Sequence, residues 1–202
     1  IEFGQLFLGG VVGEFMRSYP AIQVEVELTT RTVDPVEEGV DVVIHLGRPQ
    51  DSSLVARRLM TSPRQLYASP DYIQRYGMPQ TPDELTSHRC IHALVDGARK
   101  WRFDLPAASV PINPVLVVNN ITFAREAALA GVGIINVPAF IAEPCVESGT
   151  LVRVLEDTEL PSSELYALYP SRRFQAMKVK AFIDFVVEQL HLRSSSHIEV
   201  EA

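Results

Sequence analysis

The chain has 202 residues, 47% hydrophobic and 21% charged, with a formal net charge of −7 and a pI near 5.2. That length and balance can bury the core of one large or two small domains. The acidic excess argues against nucleic-acid binding through bulk electrostatics, which needs clustered Lys and Arg.

Residues 3–19 place Phe3, Leu6, Phe7, Val11, Val12, Phe15, Met16 and Tyr19 at helical spacing over more than one face. One stripe is expected on a sheet, the other against a partner. Residues 22–28 alternate strictly, with Ile22, Val24, Val26 and Leu28 against Gln23, Glu25 and Glu27, and predict a strand with one wet side. A short helix or turn over 32–38 precedes Gly39, and DVVIHLG at 41–47 reads as a buried strand of a parallel sheet. Strands at 54–60 and 65–68 are split by Ser62-Pro63, and helices open at Ser69-Pro70-Asp71 and Thr81-Pro82-Asp83.

Strands at 89–93, around 101–103 and over 110–118 lead to the most informative stretch, NNITFAREAALAGVGIINVP at 119–138. Asn119 and Asn120 can cap an Ala-rich helix, Gly131 and Gly133 can end it, and Ile134-Ile135 begin a buried strand. This βαβ-like unit leaves orphan amide donors just beyond a strand end, an arrangement suited to an anionic small molecule. A helix at 139–145, strands at 151–155 and 165–169, and a last helix burying Val179, Phe182, Ile183, Val186 and Leu190 follow, then a frayed tail. The alternation of helices and strands predicts an α/β fold.

Cys90 and Cys145 lie outside any CxxC spacing and read as free thiols of a reducing cytoplasm. No apolar run reaches a membrane span, and no leader is visible. The chain opens at Ile1 inside a helical pattern and so reads as a piece of something longer. There is no G-x-S-x-G, H-E-x-x-H or Walker A motif, and no G-x-G-x-x-G after a strand. No catalytic residue, metal site or cofactor is assigned.

Ligand candidates lie where open α/β sheets bind, at the carboxyl ends of strands. Thr29 and Thr30 offer hydroxyls, or simply make a turn. Phe3, Gly4 and Gln5 start the first helix, where amides favour an anion, or form a frayed end. His45 is a ligand contact or a satisfied boundary residue. His92 and Leu94 close a strand, Trp101 covers a ligand or anchors the core, and Asn119 and Asn120 add a second role to capping.

Four phrases in order carry a family resemblance: TVDPVEEGVDVVIHLGRPQDSSLVARRL from Thr32, YASPDYIQRYGMPQTPDEL from Tyr67, the WRF triplet at 101–103, and the stretch at 119–138. Together they resemble the effector-binding domain of LysR-type transcriptional regulators over nearly the whole chain. The resemblance implies a periplasmic-binding-protein-like (type 2) fold: two α/β subdomains joined by crossover strands, with a ligand cleft between. Subdomain one is then 1–66 plus 169–192, subdomain two 67–168, and 193–202 a disordered tail. It further implies a small-molecule inducer held near Thr30 and near His45, where relatives often carry Arg. The family's winged helix-turn-helix, through which DNA is bound, and its first sensory strand then lie outside this chain.

Family members pair antiparallel as homodimers or homotetramers. By that pattern the interface takes Leu8, Val12, Phe15 and Met16 from the first helix and Ile121, Arg125 and Ala128 from the Ala-rich one. The inducer is expected to be a small anionic metabolite, an aromatic acid being compatible with Trp101. The same scaffold serves transport solute-binding proteins, and enzymes such as dehydratases or deaminases, for which His45 and His92 are the titratable candidates.

Overall fold

Helix formation begins at once. A π-helical turn over Gly4–Leu8 runs into α1, Gly9–Ser18. The Phe3 and Phe7 rings stack at 5.1 Å, and a Cβ on Gly4 would overlap the Leu28 side chain, so the missing side chain permits this close approach. In a computed structural model the described residues are 1–47, 49, 53–94, 102–104, 109–171, 177–193 and 199–200, with 102–104, 109 and 199–200 described through their backbone alone. They divide into two compact units, Ile1–Thr61 with Ser163–Ala202, and Ser62–Ser162.

In the first unit α1 packs on α5, Met177–Arg193. Val11 and Phe15 are fully buried, and the Phe15 ring meets Phe182 and Phe185 edge-on at 5.2 and 5.5 Å. The buried stripe of α5 is Val179, Ile183, Val186, Val187 and Leu190; Phe182 lies at its margin, half-buried. The sheet has the order β1-β10-β2-β11, from Val43–Leu46, Ser163–Pro170, Leu54–Ser62 and Glu199–Val200.

Three sequence expectations are corrected in this unit. Residues 22–28 join no ladder among the described residues. A strand is held by a neighbour's backbone, and without one Val26 and Leu28 remain 51% and 42% exposed. β1 is an edge strand, antiparallel to β10 from Val43↔Leu168 to Leu46↔Leu165, so it is half-buried rather than fully buried in a parallel sheet. The tail is not wholly frayed, because Glu199 and Val200 pair with Thr61 and Met60 of β2. The turn before Gly39 forms as expected: the Asp34 carboxylate accepts the Val36 and Glu37 N–H groups at 2.8 and 3.2 Å, and Gly39 takes φ 72°.

The second unit is built on a five-stranded sheet of order β7-β4-β8-β3-β9. These strands are Pro114–Val118, Cys90–Ala93, Ile134–Pro138, Arg64–Ala68 and Val152–Val154. β4 runs parallel to both β7 and β8, while β3 is antiparallel to β8 and β9. One sheet face carries Tyr67, Ile91, Ile135 and Val137 against α3, Ile121–Leu129, and α4, Ala139–Glu147. The other carries Leu66, Ala68, Cys90, Ile134 and Val154 against Tyr72 of α2, Pro70–Tyr76, and Leu85 of the 3-10 turn Pro82–Thr86. Burial pushes the Cys90 thiol up to about 12, as expected of an inert core cysteine.

The single strand expected over 110–118 is broken. β6, Ser109–Pro111, pairs with β5, Arg102–Asp104, and β7 starts afresh at Pro114, because neither proline has an N–H to continue a ladder. The β7-α3-β8 unit is present with β4 between its strands. Gly131 takes φ 75° after α3, and at Gly133 a Cβ would fall 2.5 Å from the Arg89 carbonyl oxygen.

Candidate functional site

In the second unit β4, β7 and β8 run parallel, and their carboxyl ends share one edge of the sheet. The Leu94 N–H extends the β4-β7 ladder by donating to the Val118 carbonyl at 2.7 Å. Two residues later the Asn120 side-chain oxygen accepts the Phe123 N–H at 2.7 Å and caps α3. Asn119 sits exposed in the bend before it. The Thr122 hydroxyl, in the first turn of α3, is buried without a hydrogen-bond partner. Such an orphan costs about 1–3 kcal/mol.

On the same edge Arg64 is tied to β8. Its Nε donates to Asn136 Oδ1 at 3.0 Å and its Nη2 to the Asn136 carbonyl at 2.7 Å. His92 is half-buried, and burial first, then the Arg64 charge, holds its imidazole below the usual histidine range. Sequence reading overlooked Arg64, because only the register between β3 and β8 brings it beside residues near position 136.

The first-unit candidates are less uniform. Phe3 is only 7% exposed and belongs to the core, while the Gln5 N–H donates to the Ile1 carbonyl at 3.0 Å. Gly4 lies against Leu28, which brings the helix start beside the chain just before Thr29. The Thr29 hydroxyl accepts the Arg31 N–H at 3.2 Å, a turn contact, and Thr30 is exposed. His45 is half-buried on β1 opposite Tyr166. Trp101 lies outside the described residues.

Of the interface candidates, Leu8 and Phe15 are 7% and 1% exposed, and Ile121 and Ala128 are 5% and 0% exposed. All four are buried within the chain, Leu8 at the end of the π-helical turn, Phe15 on α1, and Ile121 and Ala128 on α3. Val12 and Arg125 are half-buried, Arg125 pairing with Glu126 at 2.7 Å. The outward apolar residues are Met16, 43% exposed, with Leu6 and Tyr19 beside the first helix candidates and Phe123 on α3.

Elsewhere in the second unit Glu143 is 7% exposed and accepts from Tyr67 Oη at 2.9 Å and from Arg153 Nη2 at 2.6 Å. Burial and the Glu143 charge push the Tyr67 hydroxyl far up. This trio ties β3, α4 and β9 together. Among the described residues no group of three or more His, Cys, Asp or Glu could hold a metal ion, and no helix is long and apolar enough to cross a membrane.

The family model of the LysR substrate binding domain matches residues 2–191. An HTH-type transcriptional regulator of Xanthomonas campestris pv. campestris is 34% identical over 204 residues, covering 94% of this chain and 57% of that protein. The HTH-type transcriptional regulator PtxR of Pseudomonas aeruginosa is 30% identical over 194 residues, covering 94% and 62%. The chain thus spans less than two thirds of the length of either relative. Among solved structures, the regulatory domain of CrgA from Neisseria meningitidis superposes with a TM-score of 0.82 at 26% identity, covering 94% of this chain and 95% of that one. The full-length Vibrio cholerae virulence activator AphB gives 0.79 at 28% identity, covering 92% and 64%. The fold is therefore the α/β, periplasmic-binding-protein-like fold of these regulatory domains, and the chain belongs to the LysR substrate-binding domain family.

Proposed function

We propose that the chain senses a small-molecule effector, and mediates oligomerisation, for a LysR-type transcriptional regulator whose DNA-binding segment lies beyond it. The division into two compact units supports two subdomains, with the boundaries at Thr61/Ser62 and Ser162/Ser163 rather than at 66/67 and 168/169. The observation that carries the reading is the polar edge of the second unit at the carboxyl ends of parallel strands, where Arg64 lies close enough to His92 for its charge to act on the imidazole, with Asn120 and Thr122 at the start of α3 on the other face of the sheet. Thr29, Thr30, His45 and the start of the first helix are the corresponding candidates in the first unit. Effector binding acts as a population shift between conformations rather than as a chemical step.

Self-association into a homodimer or homotetramer uses the outward apolar residues of the first helix and of α3, chiefly Met16 and Phe123. The regulator works in the cytoplasm, where its DNA target is. A hybrid joining a LysR DNA-binding segment to this chain tests the reading: reporter expression should follow effector concentration. A hybrid that binds its operator yet ignores every effector that binds the isolated chain contradicts it.

A further inference from the structure

The register of the second sheet sets out a row that no single stretch of sequence reveals. Leu66 pairs with Asn136, Ile91 with Ile135, and His92 with Val117. Continuing the β4-β8 register by one residue sets His92 beside Asn136, so Val117, His92, Asn136 and Leu66 follow one another across four strands. Cross-strand neighbours share a face, and Arg64, two residues from Leu66, shares it too. This is the face of Leu66, Cys90 and Ile134, opposite the one that packs on α3 and α4. Toward the β7 edge it continues as Val117 and Val115, 38% and 43% exposed. An apolar floor thus runs up to an imidazole, an amide and a guanidinium.

We propose that Arg64 and His92, with Asn136 between them, hold the carboxylate of an effector whose apolar body lies over Val117 and Val115. The effector class is an aromatic or branched aliphatic monocarboxylate, and the proposal rests on the effector-sensing reading above. A guanidinium forks a carboxylate in a way that an ammonium cannot, and the two donations to Asn136 fix its orientation in advance. His92 supplies a second donor. Among the described residues its facing neighbours are Arg64 from β3, Asn136 from β8 and Val117 from β7, and Arg64 is the charged one of these. The bound anion offsets that charge and favours the imidazolium, so binding takes up a proton and strengthens as pH falls through the histidine range.

The test is calorimetric titration of the intact chain with benzoate, phenylacetate and 3-methylbutanoate, each beside its neutral amide. At least one acid should bind about 10-fold or more tightly than its amide. Arg64→Gln should lose about 10-fold in affinity, with Arg64→Lys recovering only part of it. His92→Gln should remove the proton uptake, seen as equal heats in buffers of different ionisation enthalpy. A merely structural Arg64 would lower melting temperature without changing affinity, and that result overturns the proposal. Equal binding of acid and amide, or no binding by any of the three acids, also overturns it. Saturable binding of some other small molecule in these cases leaves the sensor reading standing; consumption of a bound acid overturns both.

Discussion

The Tyr72 hydroxyl lies 3.0 Å from His88 Nδ1 while accepting the Arg89 backbone N–H at 3.0 Å. With Nδ1 as acceptor the imidazole is neutral, and burial holds its pKa below the usual 6.5, against an opposing pull from Glu84. A depressed histidine gives stability that is whole above its unfolded pKa and declines as pH falls toward its folded one. Urea midpoints should therefore decline on acidification below about pH 6.5, and His88→Gln should flatten that part of the profile. Tyr72→Phe, which strands the Arg89 N–H, should cost about 1–3 kcal/mol.

The Glu143–Arg153 pair and the Arg57–Asp184 pair have equal lengths, 2.6 Å, but different settings. The Glu143 side chain is 9% exposed and that of Asp184 is 47% exposed. Arg153→Ala abandons a buried carboxylate and should destabilise by about 3 kcal/mol, the low end for a broken buried pair because Arg153 is itself partly wet. Arg57→Ala should cost under about 1 kcal/mol. Chemical denaturation of both variants checks the contrast, and equal losses would refute it.

Phe15 faces the α5 aromatics and Met16 faces outward, so the two neighbours should respond differently to a charge. Phe15→Glu should unfold the chain, at a cost above about 4 kcal/mol. Met16→Glu should preserve the melting temperature within a few degrees while shifting light scattering toward monomer. A folded Met16→Glu variant that stays as associated as the parent removes this helix face from the interface.

Asn120 and Thr122 separate capping from ligand contact. Asn120→Ala should lower stability by about 1 kcal/mol through loss of the cap on Phe123. Thr122→Val keeps the shape and deletes a buried hydroxyl with no partner, so stability should hold or rise. Effector affinity should fall in the same variant. A Thr122→Val protein that binds its effector unchanged would leave the hydroxyl a structural orphan.

Local grammar made much of this fold legible. Ser69 before Pro70, Asn120 before the Ala-rich helix, and the glycine at 131 mark helix boundaries by chemistry that acts within a few residues. What local grammar does not carry is pairing. Residues 22–28 alternate perfectly yet join no ladder among the described residues, and the tail carries no strand signal at 199–200, where two residues simply meet the edge of β2. Periodicity also found two apolar stripes on the first helix without saying which turns inward; for Phe15 that is decided by its packing on Phe182 and Phe185. At the candidate site, the strand-end positions of His92 and Asn120 follow from sequence order. Arg64 does not, since its place depends on β3 running antiparallel to β8.

The most direct measurement is a thermal-shift screen of the chain against small carboxylic acids and aromatic metabolites, with each hit followed by mass spectrometry for turnover. Effector sensing predicts saturable stabilisation of the native state by at least one compound, recovered chemically unchanged. A hit that is consumed, or a chain that no member of the library stabilises, would contradict it.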